Sequence, residues 1–193
     1  MGSTVDAVVV GAGVIGSATA FELARQGRAV TVVDSRPAVG AGSTSASSAI
    51  VRFHFSTWEG VLTAWESAAM WRDLPRHLGQ DPAGLARFVE TGCLVFDPPG
   101  GNRDTVLPLL DRAGIDYEVL APSDLRLRFP ALDIGDFWPP KRVDDPDFAA
   151  EPAAELGAYF TPRAGFIDDP MLAAANFMAA ASSHGARLLL KQR

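Results

Sequence analysis

Residues 5–34 read VDAVVVGAGVIGSATAFELARQGRAVTVVD: a valine-rich run, a glycine turn, an apolar helix pattern and a second valine-rich run. The run at 5–10 has the composition of a strand buried on both faces of a parallel sheet. From 14 to 26 apolar residues recur at helical spacing, and Gly27 is placed to end that helix. Together with the run at 29–33 this pattern predicts one βαβ unit, the opening of a doubly wound sheet.

Residues 11–16, GAGVIG, match the pattern G-x-G-x-x-G between the predicted strand and helix. Gly11 allows a tight turn, Gly13 has no Cβ and lets a pyrophosphate approach the backbone, and Gly16 lets the helix pack on the sheet. The first helical turn offers N–H groups and roughly half a positive charge to the phosphates. The motif therefore predicts a dinucleotide site, and the alternative is a purely structural turn.

Asp34 ends the second predicted strand and is the acidic residue that such a motif requires. A carboxylate accepts hydrogen bonds from ribose hydroxyls and repels a 2′-phosphate, which disfavours an NADP-type nucleotide. The motif alone does not distinguish an FAD-binding site from an NAD-binding site.

Six segments spread over nearly the whole chain resemble one family in their order and spacing. These segments are VVVGAGVIGSATAFELARQG, VVD, AGSTSASSAIVR, ETGCLVF, DLRLRFPAL and GFIDDPMLAAANF. The chain is similar here to the FAD-dependent family of D-amino-acid oxidase, sarcosine oxidase and glycine oxidase. The resemblance implies an α/β fold: a FAD-binding doubly wound sheet (Rossmann-like, glutathione-reductase-type) followed by the beginning of a mixed-sheet α+β substrate domain.

The same resemblance implies FAD as the cofactor and assigns residues to it. The segment at 42–50 is rich in small hydroxyl residues, and in the family it wraps the pyrophosphate and reaches the flavin ring, a role that short hydroxyl side chains suit. Without the resemblance this segment would be interpreted as a flexible linker. The expected cofactor-binding residues are Gly11, Gly13, Val14, Ile15, Gly16, Asp34, Ser35, Gly42, Ser43, Thr44, Ser45, Ser47, Ser48, Ala49 and Ile50.

Arg52 and His54 follow this segment and are the candidate catalytic residues. The resemblance places a basic residue at position 52 near the flavin. A fixed positive charge there would stabilise the anionic reduced ring or bind a substrate carboxylate, whereas the alternative is a surface salt bridge. His54 is a candidate for touching substrate or flavin, and the alternative is a packed core residue between Phe53 and Phe55.

Composition restricts the partners. The net charge of −6 and the pI near 5.0 repel phosphate backbones, so no nucleic acid is expected. The single cysteine, Cys93, permits no intrachain disulfide, and no metal-ligand spacing appears, so no metal is expected. The start of the chain lacks the features of a signal peptide, and its apolar run is too short to span a bilayer; we therefore expect no membrane and a cytoplasmic location.

The resemblance also implies a discontinuous domain organisation. The expected segments are 1–86 for the first part of the FAD-binding domain, 87–164 for the first part of the substrate domain, and 165–193 for the return to the FAD-binding domain. The family is about twice this length. We therefore expect the remainder of the fold on a second polypeptide in a heterodimer, or missing. The last predicted strand, 186–190, would then be an interior strand whose neighbours come from that polypeptide.

Between these segments the sequence predicts further elements. They are a helix from 58 to about 77, strands within 87–96, a helix at about 104–113 capped by Gly114, a strand at 117–120, a short helix opened by Ser123, a loop at 133–152, a hairpin within 156–166 and a helix from Asp169-Pro170 to about His184.

The function that the resemblance implies is the oxidation of a C–N bond of an amine or amino acid by hydride transfer to FAD. The chain would be the N-terminal half or a subunit of such an enzyme, active only with the missing half. Two alternatives stay open: a non-catalytic FAD-binding subunit of a complex, and an NAD-dependent dehydrogenase.

Overall fold

A computed structural model describes residues 4–81, 83–152 and 154–192. Residues 1–3, on which the expectation of no signal peptide partly rests, lie outside the described residues. The elements are β1 (Ala7–Val10), α1 (Val14–Ala24), β2 (Val30–Val33), β3 (Ile50–Val51), α2 (Trp58–Arg72), α3 (Leu74–Leu78), β4 (Phe88–Glu90), β5 (Cys93–Asp97), α4 (Arg103–Ala113), β6 (Glu118–Leu120), α5 (Pro122–Arg128), β7 (Gly157–Thr161), β8 (Gly165–Ile167), α6 (Pro170–Ser183) and β9 (Arg187–Leu189).

The chain forms two compact units, each built from separated segments. The first unit contains the described residues of Met1–Val51, Glu66–Val89 and Gly165–Arg193, and the second contains those of Arg52–Trp65 and Glu90–Ala164. The units differ from the expected domain segments chiefly in the stretch 52–65, which lies in the second unit. The domain boundaries 1–86, 87–164 and 165–193 stay a prediction.

The first unit contains a parallel sheet of order β1-β2-β9, with Val10 beside Val33 and Val33 beside Leu189. Helices α1 and α6 pack against each other and against one face of this sheet. Both helices are rich in alanine, which lets their backbones approach closely, and they bury the rings of Phe21 and Phe177 between them and the neighbouring helices. Each such ring contributes about 2–3 kcal/mol by leaving water. The predicted βαβ unit and the α/β fold class are confirmed.

A small second sheet of order β3-β8-β4 carries the segment that follows the hydroxyl-rich stretch. Ile50 pairs with Phe166, and Val51 with Gly165, in antiparallel register. Because β8 leads directly into α6, this sheet fixes the end of the hydroxyl-rich segment beside the start of α6.

The second unit contains an antiparallel sheet of order β5-β7-β6. Alternate residues of β7, Ala158 and Phe160, join Leu125 of α5 in one apolar core. Helix α4 ends at Gly114 in the left-handed conformation, with φ of 67°, as the sequence predicts.

Three sequence-based expectations for single elements are wrong. Helix 58–77 is two helices, because Pro75 lacks an N–H and its ring would clash with the carbonyl of residue 71 in a continuous helix. The helix expected to open at Ser123 begins at Pro122, whose fixed φ suits the first helical position. The hairpin within 156–166 does not form, because β7 pairs with β5 and β6 whereas β8 pairs with β3 and β4.

The last strand also differs from the expectation that its neighbours come from a second polypeptide. β9 pairs in parallel with β2 of the same chain, from Thr31 beside Arg187 to Val33 beside Leu189. The reason is that α6 packs in the same core as β2, with Leu188 of β9 packed against it, so the chain that leaves α6 reaches the free edge of β2.

No helix in the described part of the chain is long and apolar enough to cross a membrane. Over the same residues no group of three or more His, Cys, Asp or Glu side chains is arranged to hold a metal ion.

Candidate functional site

The glycine turn between β1 and α1 is shaped by two glycines that no other residue replaces without strain. Gly11 has φ of 103°, in the left-handed region, and its N–H donates to the carbonyl of Val33 at 2.8 Å. A Cβ on Gly16 would lie 1.9 Å from the carbonyl oxygen of Gly11. These two positions therefore set the close approach of α1 to the end of β1.

Gly13 is the N-cap residue of α1, and Thr44 lies directly above it. A Cβ on Gly13 would lie 3.0 Å from the Thr44 hydroxyl oxygen, and that oxygen accepts the N–H of Val14 at 3.1 Å. The first turn of α1 carries no acidic side chain, so no residue of that turn opposes an anion at the positive end of the helix dipole. The sequence predicted the open backbone at Gly13 but not that Thr44 caps the helix.

Asp34 ties the glycine turn to the end of β2. Its Oδ2 accepts the N–H of Ala12 at 2.6 Å, and its Oδ1 accepts the N–H of Arg36 at 2.7 Å. The hydrogen bond from Arg36 first, and that from Ala12 second, lower the pKa of Asp34 below its usual value. The carboxylate is therefore ionised at neutral pH, and each oxygen keeps a lone pair for a ribose hydroxyl.

The hydroxyl-rich segment folds into a series of turns rather than a flexible linker. The N–H of Gly40 donates to the carbonyl of Ala12 at 2.8 Å, and the hydroxyl of Ser45 donates to the carbonyl of Gly42 at 2.8 Å. Thr44 is buried, whereas Ser43, Ser45, Ser47 and Ser48 are exposed. The segment is therefore anchored to the glycine turn through one buried threonine.

Ala49 ends this segment in a strained conformation. Its φ is 53°, in the left-handed region, which costs a residue with a Cβ about 1–2 kcal/mol. Its N–H donates to the Ser47 hydroxyl at 3.0 Å, and its carbonyl accepts the N–H of Ile167 at 3.0 Å. These two hydrogen bonds hold the reversal that leads the chain into β3.

A cavity of about 150 Å³ lies where α1, the hydroxyl-rich segment and the start of α6 meet. The cavity brings together five residues expected from the sequence: Val14, Thr44, Ser47, Ala49 and Ile50. Trp71, Ile167, Pro170 and Ala173 complete the lining, and sequence reasoning missed all four. The second unit contains larger cavities, but none of the motif residues lines them. The candidate site is therefore the smaller cavity next to the glycine turn.

The other expected cofactor residues are not part of this cavity lining. Ile15 is 80% exposed at the first turn of α1, and Ser35 is exposed beside Asp34. Gly42, Ser43, Ser45 and Ser48 lie on the exposed side of the hydroxyl-rich segment. These positions are exposed and stay predictions of cofactor contact.

Arg52 and His54 lie in the second unit, at the loop before α2. A guanidinium N–H of Arg52, on Nη1, donates to the carbonyl of His54 at 2.7 Å. Burial, and then the charge of Arg52, lower the pKa of His54 to about 4, so the imidazole is neutral at neutral pH. Its Nδ1 is buried without a hydrogen-bond partner among the described residues, and its ring meets that of Tyr159 edge-on at 6.1 Å.

The charge of Arg52 also acts on Cys93 and Tyr159. Burial raises the pKa of the Cys93 thiol and that of the Tyr159 phenol, so both groups are neutral at neutral pH. Arg52 therefore carries the charge of this cluster.

The chain matches known proteins through its family and its fold. Residues 6–193 match the family model DAO, described as FAD dependent oxidoreductase. No curated protein matches the chain. The glycine motif alone did not distinguish an FAD site from an NAD site. The family is FAD-dependent, so the cofactor is FAD.

Solved structures share the fold at low identity. L-proline dehydrogenase from P. horikoshii has a TM-score of 0.74 at 24% identity, over 99% of this chain and 45% of that one. Glycine oxidase from Geobacillus kaustophilus has a TM-score of 0.72 at 24% identity, over 97% and 46%. L-amino acid deaminase from Proteus vulgaris has a TM-score of 0.67 at 17% identity, over 99% and 40%.

The chain thus spans less than half the length of these three structural relatives. The family match covers almost all of it, and the glycine turn, Asp34 and the hydroxyl-rich segment lie within the matched residues. The chain belongs to the DAO family of FAD-dependent oxidoreductases.

Proposed function

We propose that this chain forms the adenosine and pyrophosphate side of the FAD site in an enzyme that oxidises a C–N bond of an amine or amino acid. The observation that carries the proposal is the N-terminus of α1, where Gly13 has no side chain, no acidic side chain stands in the first turn and a hydroxyl oxygen, that of Thr44, accepts the N–H of Val14. FAD supplies the chemistry when bound, by accepting a hydride from the substrate carbon.

The residues of the glycine turn bind the cofactor in this proposal. N–H groups of the first turn of α1 bind the pyrophosphate, and Asp34 accepts hydrogen bonds from the adenosine ribose. Because the Thr44 hydroxyl already accepts the N–H of Val14, a phosphate oxygen either shares this donor with Thr44 or displaces it. Val14, Ala49 and Ile50 line the adjoining cavity, which accommodates only a part of a dinucleotide at about 150 Å³.

Arg52 supplies a positive charge to the reaction in this proposal. None of the carboxylates in the ranges 4–81, 83–152 and 154–192 forms an ion pair with its guanidinium. His54 is neutral, so the loop keeps a net positive charge that stabilises the anionic reduced flavin or binds a substrate carboxylate. The names of the structural relatives, which act on proline, glycine and L-amino acids, agree with an amino-acid substrate.

A second polypeptide that completes the fold is part of the proposal. The face of the β1-β2-β9 sheet opposite α1 and α6 carries an apolar row of Val10, Val33 and Leu189, of which Val10 is 85% and Leu189 38% exposed. Val8 is 57% exposed on the same face. Parallel sheets are covered on both faces, so this row supports further polypeptide over it and beside the edge of β1.

Anaerobic spectroscopy of this chain, purified together with the polypeptide that completes its fold, tests the function. We expect the visible absorption of bound FAD, and we expect it to bleach when proline, glycine or another amino acid is added. Bound flavin that no amine or amino acid reduces would instead indicate a non-catalytic FAD-binding subunit, and a protein without flavin would overturn the proposed site.

A further inference from the structure

The side chain of Arg52 folds back over the residues that follow it. Besides its hydrogen bond to the carbonyl of His54, its guanidinium carbon lies 4.7 Å from the centroid of the Phe55 ring. A planar guanidinium stacks on an aromatic face by cation–π attraction, which constrains its plane as well as its position. One hydrogen bond and one ring therefore fix the orientation of Arg52.

Phe55 is itself held against the first turn of α2. A Cβ on Gly60 would lie 2.9 Å from the Cβ of Phe55 and 3.1 Å from its Cγ, so only glycine leaves room for the ring at this distance. The N–H of Gly60 donates to the Thr57 hydroxyl at 3.3 Å, and the N–H of Phe55 donates to the carbonyl of Phe53 at 3.0 Å. The loop cannot shift Phe55 toward the helix.

The other end of the loop is anchored in the core of the second unit. Phe53 is fully buried, and its ring meets that of Trp65 in α2 at 5.0 Å and 90°. Phe53 and Phe55 thus hold the two sides of the loop that carries His54, and Arg52 rests on the second of these rings.

We propose that Phe55, seated on Gly60, is a positioning residue that fixes the Arg52 guanidinium for its role in the reaction. The inference rests on the proposed function of Arg52. A long side chain in water samples many rotamers, and an arginine that is already ordered loses less freedom when it binds an anion or faces a charged ring. Phe55 acts through Arg52 and need not touch substrate or cofactor.

NMR of the FAD-loaded protein labelled with [¹⁵N]arginine detects the contact between the Arg52 guanidinium and the Phe55 ring, and it requires no catalytic turnover. The spectrum of Arg52→Lys identifies the Arg52 signal, which we expect to be shifted upfield by the current of the Phe55 ring. Phe55→Leu keeps an apolar side chain and should move the signal to the position of a solvated arginine, whereas Phe55→Tyr should keep it. Phe88→Leu is the matched control, because it removes a ring that lies 5.6 Å from a different arginine, Arg72.

The reductive half-reaction supplies the functional measurement. Phe55→Leu should slow flavin reduction by about fivefold, the effect of one cation–π contact at a partly exposed site, and Phe55→Tyr should restore it. Gly60→Ala should give a defect of the same kind, because its Cβ displaces the ring. If Phe55→Leu leaves the Arg52 signal at its wild-type position, Phe55 does not position Arg52 and the inference is wrong. A signal that moves while Arg52→Ala, which removes the charge, reduces flavin at the normal rate overturns the proposed function of Arg52, and the inference with it.

Discussion

At the residue scale, Gly13 and Thr44 decide whether a phosphate reaches the backbone of α1. Gly13→Val should strip FAD, because its side chain occupies the approach of the pyrophosphate to the helix N-terminus. The new Cβ would also lie 3.0 Å from the Thr44 hydroxyl, a clash with the protein rather than with the cofactor. The ratio of flavin absorbance to protein absorbance measures the loss.

The double variant Gly13→Val/Thr44→Ala separates these two causes. Thr44→Ala removes the hydroxyl that the new side chain would meet but leaves the pyrophosphate where it is expected. FAD should stay absent in the double variant and present in Thr44→Ala alone. Stoichiometric FAD in Gly13→Val would count against the proposed placement.

Asp34 gives a prediction about pH at the same scale. Its pKa is depressed in the folded state, so its contribution to stability is present above the unfolded value near 4 and is lost as the pH falls through the folded value. Asp34→Asn keeps one acceptor and loses one charged hydrogen bond, which should cost about 1–2 kcal/mol at pH 7 at this partly exposed site. Urea unfolding of wild type and Asp34→Asn at pH 7 and pH 3 measures the two free energies of unfolding.

The difference in unfolding free energy between wild type and Asp34→Asn should be smaller at pH 3 than at pH 7, because the contribution declines as the pH falls below the unfolded pKa toward the lowered folded pKa. Asp116→Asn, which changes an exposed carboxylate in the second unit, is the control and should differ little from wild type at either pH. A difference for Asp34→Asn that is equal at both pH values would show that the charge of this carboxylate does not matter.

At the element scale, α6 carries much of the first core and depends on its N-cap. Asp169 Oδ1 accepts the N–H of Leu172 at 2.9 Å at the predicted start of the helix, whereas Asp168 accepts a hydrogen bond from Arg87. Asp169→Ala should destabilise the protein by about 1 kcal/mol, and Asp169→Ser should restore most of it. Thermal unfolding of the three proteins measures this, and equal midpoints would contradict the capping role.

At the scale of the whole molecule, the exposed apolar face of the parallel sheet leads to a prediction about association with a second polypeptide. Within this chain Val10→Asp removes no buried contact, because the side chain is 85% exposed. In an assembly that covers the face, the same change would bury an unpaired carboxylate and should prevent association. Co-expression with the second polypeptide and size measurement compare the two variants.

If the proposed second polypeptide completes the fold, the chain expressed by itself should aggregate or unfold, since the exposed sheet face is apolar and the interface of a permanent complex is larger than roughly 2,000 Å². Light scattering after size-exclusion chromatography measures its mass. A soluble, cooperatively folding, FAD-loaded monomer of 20.4 kDa would show that no second polypeptide is needed.

Local pattern was enough to predict the βαβ unit, the glycine turn and the helix ends at Gly114 and Asp169. The reason is that backbone freedom at glycine, helical periodicity and capping involve residues within one or two turns of each other. The resemblance to a family, rather than any local pattern, turned the stretch at 42–50 from a linker into an expected part of the cofactor site.

Contacts between distant residues decided the rest, because no local pattern encodes them. Thr44 reaches the N–H of Val14 across 30 positions, and Asp34 reaches that of Ala12 across 22. β7 and β8 pair with different sheets although three residues separate them: β7 lies between β5 and β6, and β8 lies between β3 and β4. An isolated two-stranded hairpin is marginal in water, and each strand is instead the middle strand of a three-stranded sheet. β9 lies beside β2 because α6 carries the chain back to that edge, and this packing is a property of the fold as a whole.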